Sequence, residues 1–131
     1  MSIPSWQTLE LLEEERLAEP GTDFAVRLLR RFLALCESPR TRAAMLRMVK
    51  GSVGSARAGR VLYRVVSRAV VNPVARATGV QASALRLELV ASQLIGLAML
   101  RYVLHVEPMA SASVDDVVAL AAPSIRAALR G

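Results

Sequence analysis

His105 is the single histidine of this 131-residue chain and Cys36 its single cysteine. A metal centre needs several donors at short spacing, and nucleophilic catalysis needs a thiolate beside a base. One histidine and one cysteine, far apart in sequence, supply neither. Cys36 falls on the apolar side of a predicted helix and reads as a buried structural thiol. The sequence has no glycine loop of the kind that cradles phosphate and no Gly-x-Ser-x-Gly elbow. Asp115 and Asp116 stand at a predicted helix start, where negative charge complements the helix dipole. The expectation is a protein that is not an enzyme and that takes no metal and no cofactor. With a single cysteine and no basic-then-apolar leader at the start, a reducing, cytoplasmic setting is expected.

The remaining chemistry lies in polar groups set among apolar ones. In "ASQLIGLAMLRYVLHVEP", residues 91–108, Gln93, Arg101 and His105 interrupt leucines and valines, and Tyr63 does the same earlier. Such groups would orient the polar end of a small apolar or amphipathic ligand. Met45, Met48, Leu62, Val66, Leu94 and Leu97 would line the pocket, where the flexibility of methionine suits varied apolar shapes. A plainer reading stands beside it: the methionines fill a core, while Arg101 and His105 cap carbonyls near a helix end or pair with Glu107.

These residues sit on helices. The composition is 53% hydrophobic, 21% charged and 4% aromatic, with little of the period-2 alternation of strands, which predicts one all-α domain over residues 1–131. Period 3.6 gives about six helices. An acidic N-terminal helix covers Ser5 to about Ala18, within residues 1–20, through Trp6, Leu9, Leu12 and Leu17. The middle helices occupy 22–80. One is capped by Thr22 or Asp23 and runs to Glu37, one opens at Ser38-Pro39 and stops near Gly51 to Gly54, and one runs from Ser55 to Val71 and ends at Asn72-Pro73. Dimerisation helices fill 81–131: a long one over Gln81 to Val106 and a last one begun by Ser113 with Asp116, running to Leu129 through Pro123.

The long helix is apolar on two sides. Leu85, Leu89, Ser92, Gly96, Met99 and Val103 share one face, and Leu87, Val90, Leu94, Ala98, Arg101 and His105 lie roughly opposite. Arg86, Glu88, Gln93, Arg101 and His105 interrupt it too often for a bilayer span of about 20 apolar residues. A homodimer in which the last two helices of each copy form a four-helix bundle would cover both sides. The last helix would contribute Val117, Val118, Ala121, Ile125 and Leu129.

The formal charge is +6, and Lys50 is the only lysine among 17 cations. Arg57, Arg60, Arg64 and Arg68 form a stripe predicted to lie opposite Val61, Leu62, Val65, Val66 and Ala69. A solvated outer face is the preferred reading, because no aromatic residues interleave with the charges as single-strand binders require. The alternative is an arginine-rich surface for an anionic partner, nucleic acid or lipid.

"NPVARATGVQASALRLEL" resembles the helix-turn-helix of LacI-type repressors, with Arg86 as a base reader, but a recognition helix needs a polar face and this one is mostly apolar. A structural turn with a left-handed Gly79 is expected instead. "FLALCESPRTRAAMLRMV", "LVASQLIGLAMLRYVLHVEPMAS" and "VDDVVALAAPSIRAAL" resemble the C-terminal effector-binding and dimerisation domain of TetR-family transcriptional regulators over about residues 24 to 130. The resemblance implies an all-helical domain, a homodimer through the last two helices, and a ligand cavity among the middle ones. Nothing before Phe24 resembles that family's DNA-binding module, so DNA is expected as a partner only where such a module is supplied elsewhere. The alternative is a standalone module that forms mixed dimers with a full-length relative.

Overall fold

The computed structural model describes residues 20–130. The predicted helix over Ser5 to Ala18 lies outside the described residues. Among those described, the chain is all-helical, with no strand.

Helix α1, Pro20–Glu37, places Phe24, Leu28 and Phe32 on one line and Ala25, Leu29, Leu33 and Cys36 beside it, all at most 1% exposed. Fully burying a side chain of that size contributes roughly 1.5–3 kcal/mol, so α1 is the central post of the domain. It packs along the final helix and against the helices between. Its C-terminus turns through Ser38–Thr41, where the Thr41 hydroxyl donates to the Leu35 carbonyl at 2.6 Å. Helix α2, Arg42–Gly51, therefore starts three residues later than the Ser38-Pro39 pair suggested. Met45 and Val49 carry its buried side.

Helix α3, Ala56–Val66, begins at the predicted Ser55, whose hydroxyl accepts from the Ala58 amide at 3.0 Å. It does not end at Asn72-Pro73. The rod passes through a π-helical turn, Ser67–Val71, into α4, Asn72–Thr78. The physical reason is visible around the proline. Pro73 enters at the first turn of α4, where an amide hydrogen is least needed. It offers no donor to the carbonyl of Ala69, four residues back. Arg31 of α1 replaces it, donating from Nε to that oxygen at 2.7 Å. A side chain from another helix thus lets the rod continue.

Gly79, at φ 73°, closes α4 in the left-handed region, and the Val80 amide returns to the Ala75 carbonyl. Helix α5, Ala84–Ala98, is capped by Ser83 and ends in a second π-helical turn, Met99–Val103, short of the expected Val106. Arg86, considered as a base reader, instead donates to the carbonyls of Ala128 and Arg130 and so closes the end of the final helix. That helix, α6, Val114–Leu129, is capped by Ser113 as predicted, its hydroxyl accepting from the Asp116 amide at 3.1 Å. Pro123 sits inside α6 without ending it.

Candidate functional site

The densest polar cluster forms where the π-helical turn after α5 meets the end of α1. A π turn adds a residue to the helical circuit and swings the following side chains inward. Here it buries Arg101, which is 7% exposed. One guanidinium nitrogen donates to two carbonyls of the α5–α6 connection, Met109 at 2.7 Å and Ala112 at 2.8 Å. The other lies 3.7 Å from the Glu37 carboxylate. Arg101 Nε is buried and has no hydrogen-bond partner among the described residues. Tyr102 completes the group, donating its hydroxyl to Glu37 at 2.5 Å. Its ring lies under the guanidinium, 5.4 Å from centroid to Cζ. Burial, then the bond to Glu37, pushes the Tyr102 phenol well above its ordinary pKa.

Arg101 therefore caps carbonyls, as one of the two sequence readings held, but those of the following loop, and its acid is Glu37, where the sequence suggested Glu107. His105 does not join it. It is exposed, at φ 52°, past the end of the helix. Gln93 is also turned elsewhere, its side-chain oxygen accepting from the Ser124 hydroxyl of α6 at 2.5 Å.

The apolar candidates are gathered in one place. Met45, Leu62, Val66 and Leu94 are buried in a common core, with Met48, Tyr63 and Leu97 packed against it. They belong to the core that runs through the whole helical stack, where α2 packs on α3 and on the π turn after α5, and Met48 also edges a surface groove. That groove, about 580 Å³, opens between α2 and α3 along Met48, Ala58 and Val61. Beside Met45 and its neighbours the helices are in contact, because their side chains interdigitate to the close packing usual in protein interiors.

Cys36 is fully buried, and burial, followed by the nearby Glu37 charge, pushes its thiol up to about 12. A thiol so held is protonated at neutral pH and is a weak nucleophile. Among the described residues no group of three or more histidines, cysteines and carboxylates could hold a metal ion. No helix there is long and apolar enough to cross a membrane.

The two faces of α5 separate clearly. Val90, Ala91, Leu94 and Ala98 face the core. Leu85, Leu89, Ser92, Gly96 and Leu100 recur at helical spacing on the outer side and are exposed. A Cβ added at Gly96 would meet nothing within 4 Å, so the predicted notch is open. Met99 and Val103, assigned to the same face, open and close the π turn and are half-buried against the core.

For α6 the sequence-based face is corrected. Val117, Val118 and Ile125 are buried against the rest of the chain, and Ala121 and Leu129 are half-buried against the same core. They form the inner stripe of α6, packed along α1 and α5. The outer stripe is Ala119, Leu120, Pro123, Ser124 and Ala127, all exposed. The sequence reading missed Leu120, 83% exposed, because an alanine-rich helix leaves the direction of its weaker apolar stripe undecided. Glu37 and Tyr102 were missed because a contact spanning 65 residues has no local signature.

Compared with curated proteins and with solved structures, the chain gives no match. The model of one family matches it across α1 to α6, residues 23–129. The chain belongs to the tetracyclin repressor-like C-terminal domain family, and it is thus a regulatory domain of the ligand-binding and dimerising kind.

Proposed function

We propose that this domain pairs with a second copy through the outer faces of α5 and α6, and that a small apolar or amphipathic effector shifts the middle helices against that four-helix bundle. The observation that carries the pairing is the outer face itself. Leu120 is 83% exposed, Leu85 65% and Leu89 48%, on helices that the Gln93–Ser124 bond ties together. Around these leucines the relief is low, at Ser92, Gly96, Ala119 and Ala127, so a facing helix can approach closely. Covering each leucine would contribute up to roughly 2 kcal/mol.

The effector enters, in this reading, at the layer of Met45, Met48, Leu62, Tyr63, Val66, Leu94 and Leu97. What supports it is the pair of methionines on α2, where that helix packs on α3, whose unbranched chains repack at little cost. Since that layer is closed when empty, the effector must favour a minor, opened packing. Arg101 and Gln93 then act indirectly, through the loop and the α6 face that they hold, and His105 lies at the outer edge. Where a DNA-binding module accompanies such a domain, the shift would alter the spacing of two DNA-binding heads.

Sedimentation equilibrium tests the pairing. The chain should be a dimer at micromolar concentration, and Leu89→Asp with Leu120→Asp should give a folded monomer, weakening association by at least about 100-fold. A well-folded wild-type monomer at that concentration overturns the reading. Effector binding is tested by the melting temperature, which should rise with the concentration of a true ligand, by about 2.7 kcal/mol of stabilisation at 100 times its Kd.

A further inference from the structure

We propose that the outer surface of the α2–α3 hairpin is a docking trough for an acidic, amphipathic helix of a partner protein. Two open grooves, about 580 Å³ and 500 Å³, adjoin at Val61 and together follow the chain from Ser55 to Ala69. At the helical rise that is about 20 Å, the length of roughly four turns of a docked helix. The floor is apolar: Met48, Ala58 and Val65 are half-buried and Val61 is 39% exposed. The stripe of arginines was expected opposite these valines. Instead only Leu62 and Val66 turn into the core, while Val61 and Val65 share the trough with the charges.

The rims are cationic. Arg47 and Arg57 edge the first groove, and Arg64 and Arg68 the second. Among the described residues none of these four side chains takes part in a hydrogen bond or an ion pair, in contrast to those of Arg30, Arg31, Arg86 and Arg101. From Ser38 to Leu87 the sequence holds ten cations and no acid. This stretch therefore supplies no carboxylate beside them, and their charge is left open to a partner.

Shape selects the class of partner. A lipid surface is engaged by apolar groups that protrude beyond the charges, whereas here Met48, Ala58 and Val65 are half-buried and the arginines beside them are exposed. A nucleic-acid backbone would meet the arginines but leave the valine floor uncovered, and no aromatic ring lines the trough for a base to stack on. An amphipathic helix fits both parts. Its apolar ridge fills the floor, and carboxylates flanking the ridge accept paired hydrogen bonds from the guanidinium groups.

Fluorescence anisotropy on the full chain tests this with a labelled synthetic peptide of about 14 residues, carrying one leucine stripe flanked by glutamates. The peptide should bind saturably and more weakly as salt rises. Arg57→Glu with Arg64→Glu should weaken it by at least about tenfold, and so should Val61→Asp. Arg76→Glu with Arg130→Glu, the same change in net charge on other exposed positions, should leave it within about twofold. Circular dichroism confirms that each variant is folded, which these exposed positions favour. Equal binding of a scrambled peptide, or an equal loss in the Arg76 and Arg130 pair, overturns the proposal. So does binding of phosphatidylserine vesicles or duplex DNA through Arg57 and Arg64 with no binding of the peptide.

Discussion

Arg101 and the arginines of α3 are the same residue in opposite settings. Arg101 is buried, bonded to two loop carbonyls and close to Glu37, so its charge holds the chain to itself. Arg57, Arg64 and Arg68 stand in solvent with no partner among the described residues. A guanidinium taken out of water must be repaid by hydrogen bonds and an opposite charge, or folding fails. An exposed one owes nothing to folding and is free to serve recognition. In this domain, then, the position of an arginine relative to a helix face decides whether it acts on stability or on partners.

The sharpest way to break that contrast is Arg101→Ala. It would remove the donor from the half-buried carbonyls of Met109 and Ala112 and leave Glu37 without its cation, and we expect a loss of about 3 kcal/mol in urea-induced unfolding, with an unchanged fold. A loss under about 1 kcal/mol would show that the π-turn cluster is ornamental.

High pH probes the same neighbourhood. The folded Cys36 thiol is held near 12 against an ordinary 9.0, so the unfolded chain ionises first and releases its proton more readily. The stabilisation is complete below pH 9 and is lost as pH rises toward 12. Stability should fall across that window by up to about 1.4 kcal/mol per pH unit from this group alone. Cys36→Ala, measured by denaturant melts between those limits, should flatten the slope.

Arg31 falls between the two extremes, since it is exposed yet bonded to the Ala69 carbonyl that Pro73 leaves without an amide. Arg31→Ala should cost about 1 kcal/mol, and Pro73→Ala, which restores the backbone donor, should recover part of it in a double-mutant cycle. The smallest effect belongs to Arg64→Gln. Its unfolding free energy should stay within about 0.5 kcal/mol of wild type. A larger change would mean that the trough rim is structural, and the contrast would dissolve.

How much of this was legible beforehand differs from residue to residue. Ser55, Ser83 and Ser113 cap helices through their own hydroxyls, and a cap is a local bargain between a side chain and an amide a few residues on. Two of these three were named from sequence, and the left-handed Gly79 with them. The two-sided character of α5 was also legible, down to Leu85, Leu89, Ser92 and Gly96 on its outer side. The stop at Asn72-Pro73 was not to be had, because the group that prevents it, Arg31, lies 38 residues away. Nor was the half-burial of Met99 and Val103 legible, since the π turn that begins and ends with them has no local signature in the sequence. Met45, Leu62, Val66 and Leu94 are members of the common core, and their place in it follows from their apolar side chains.

The amino-acid order by itself determined the helical class and the helix boundaries set by capping serines and glycine, because each depends on side chains acting within about a turn of their own backbone. Which stripe of α6 faces inward and that Arg101 reaches the Met109 and Ala112 carbonyls were decided only in the tertiary structure. In those cases the competing local arrangements are close in energy, and the choice falls to partners tens of residues away whose combined burial outweighs local preference.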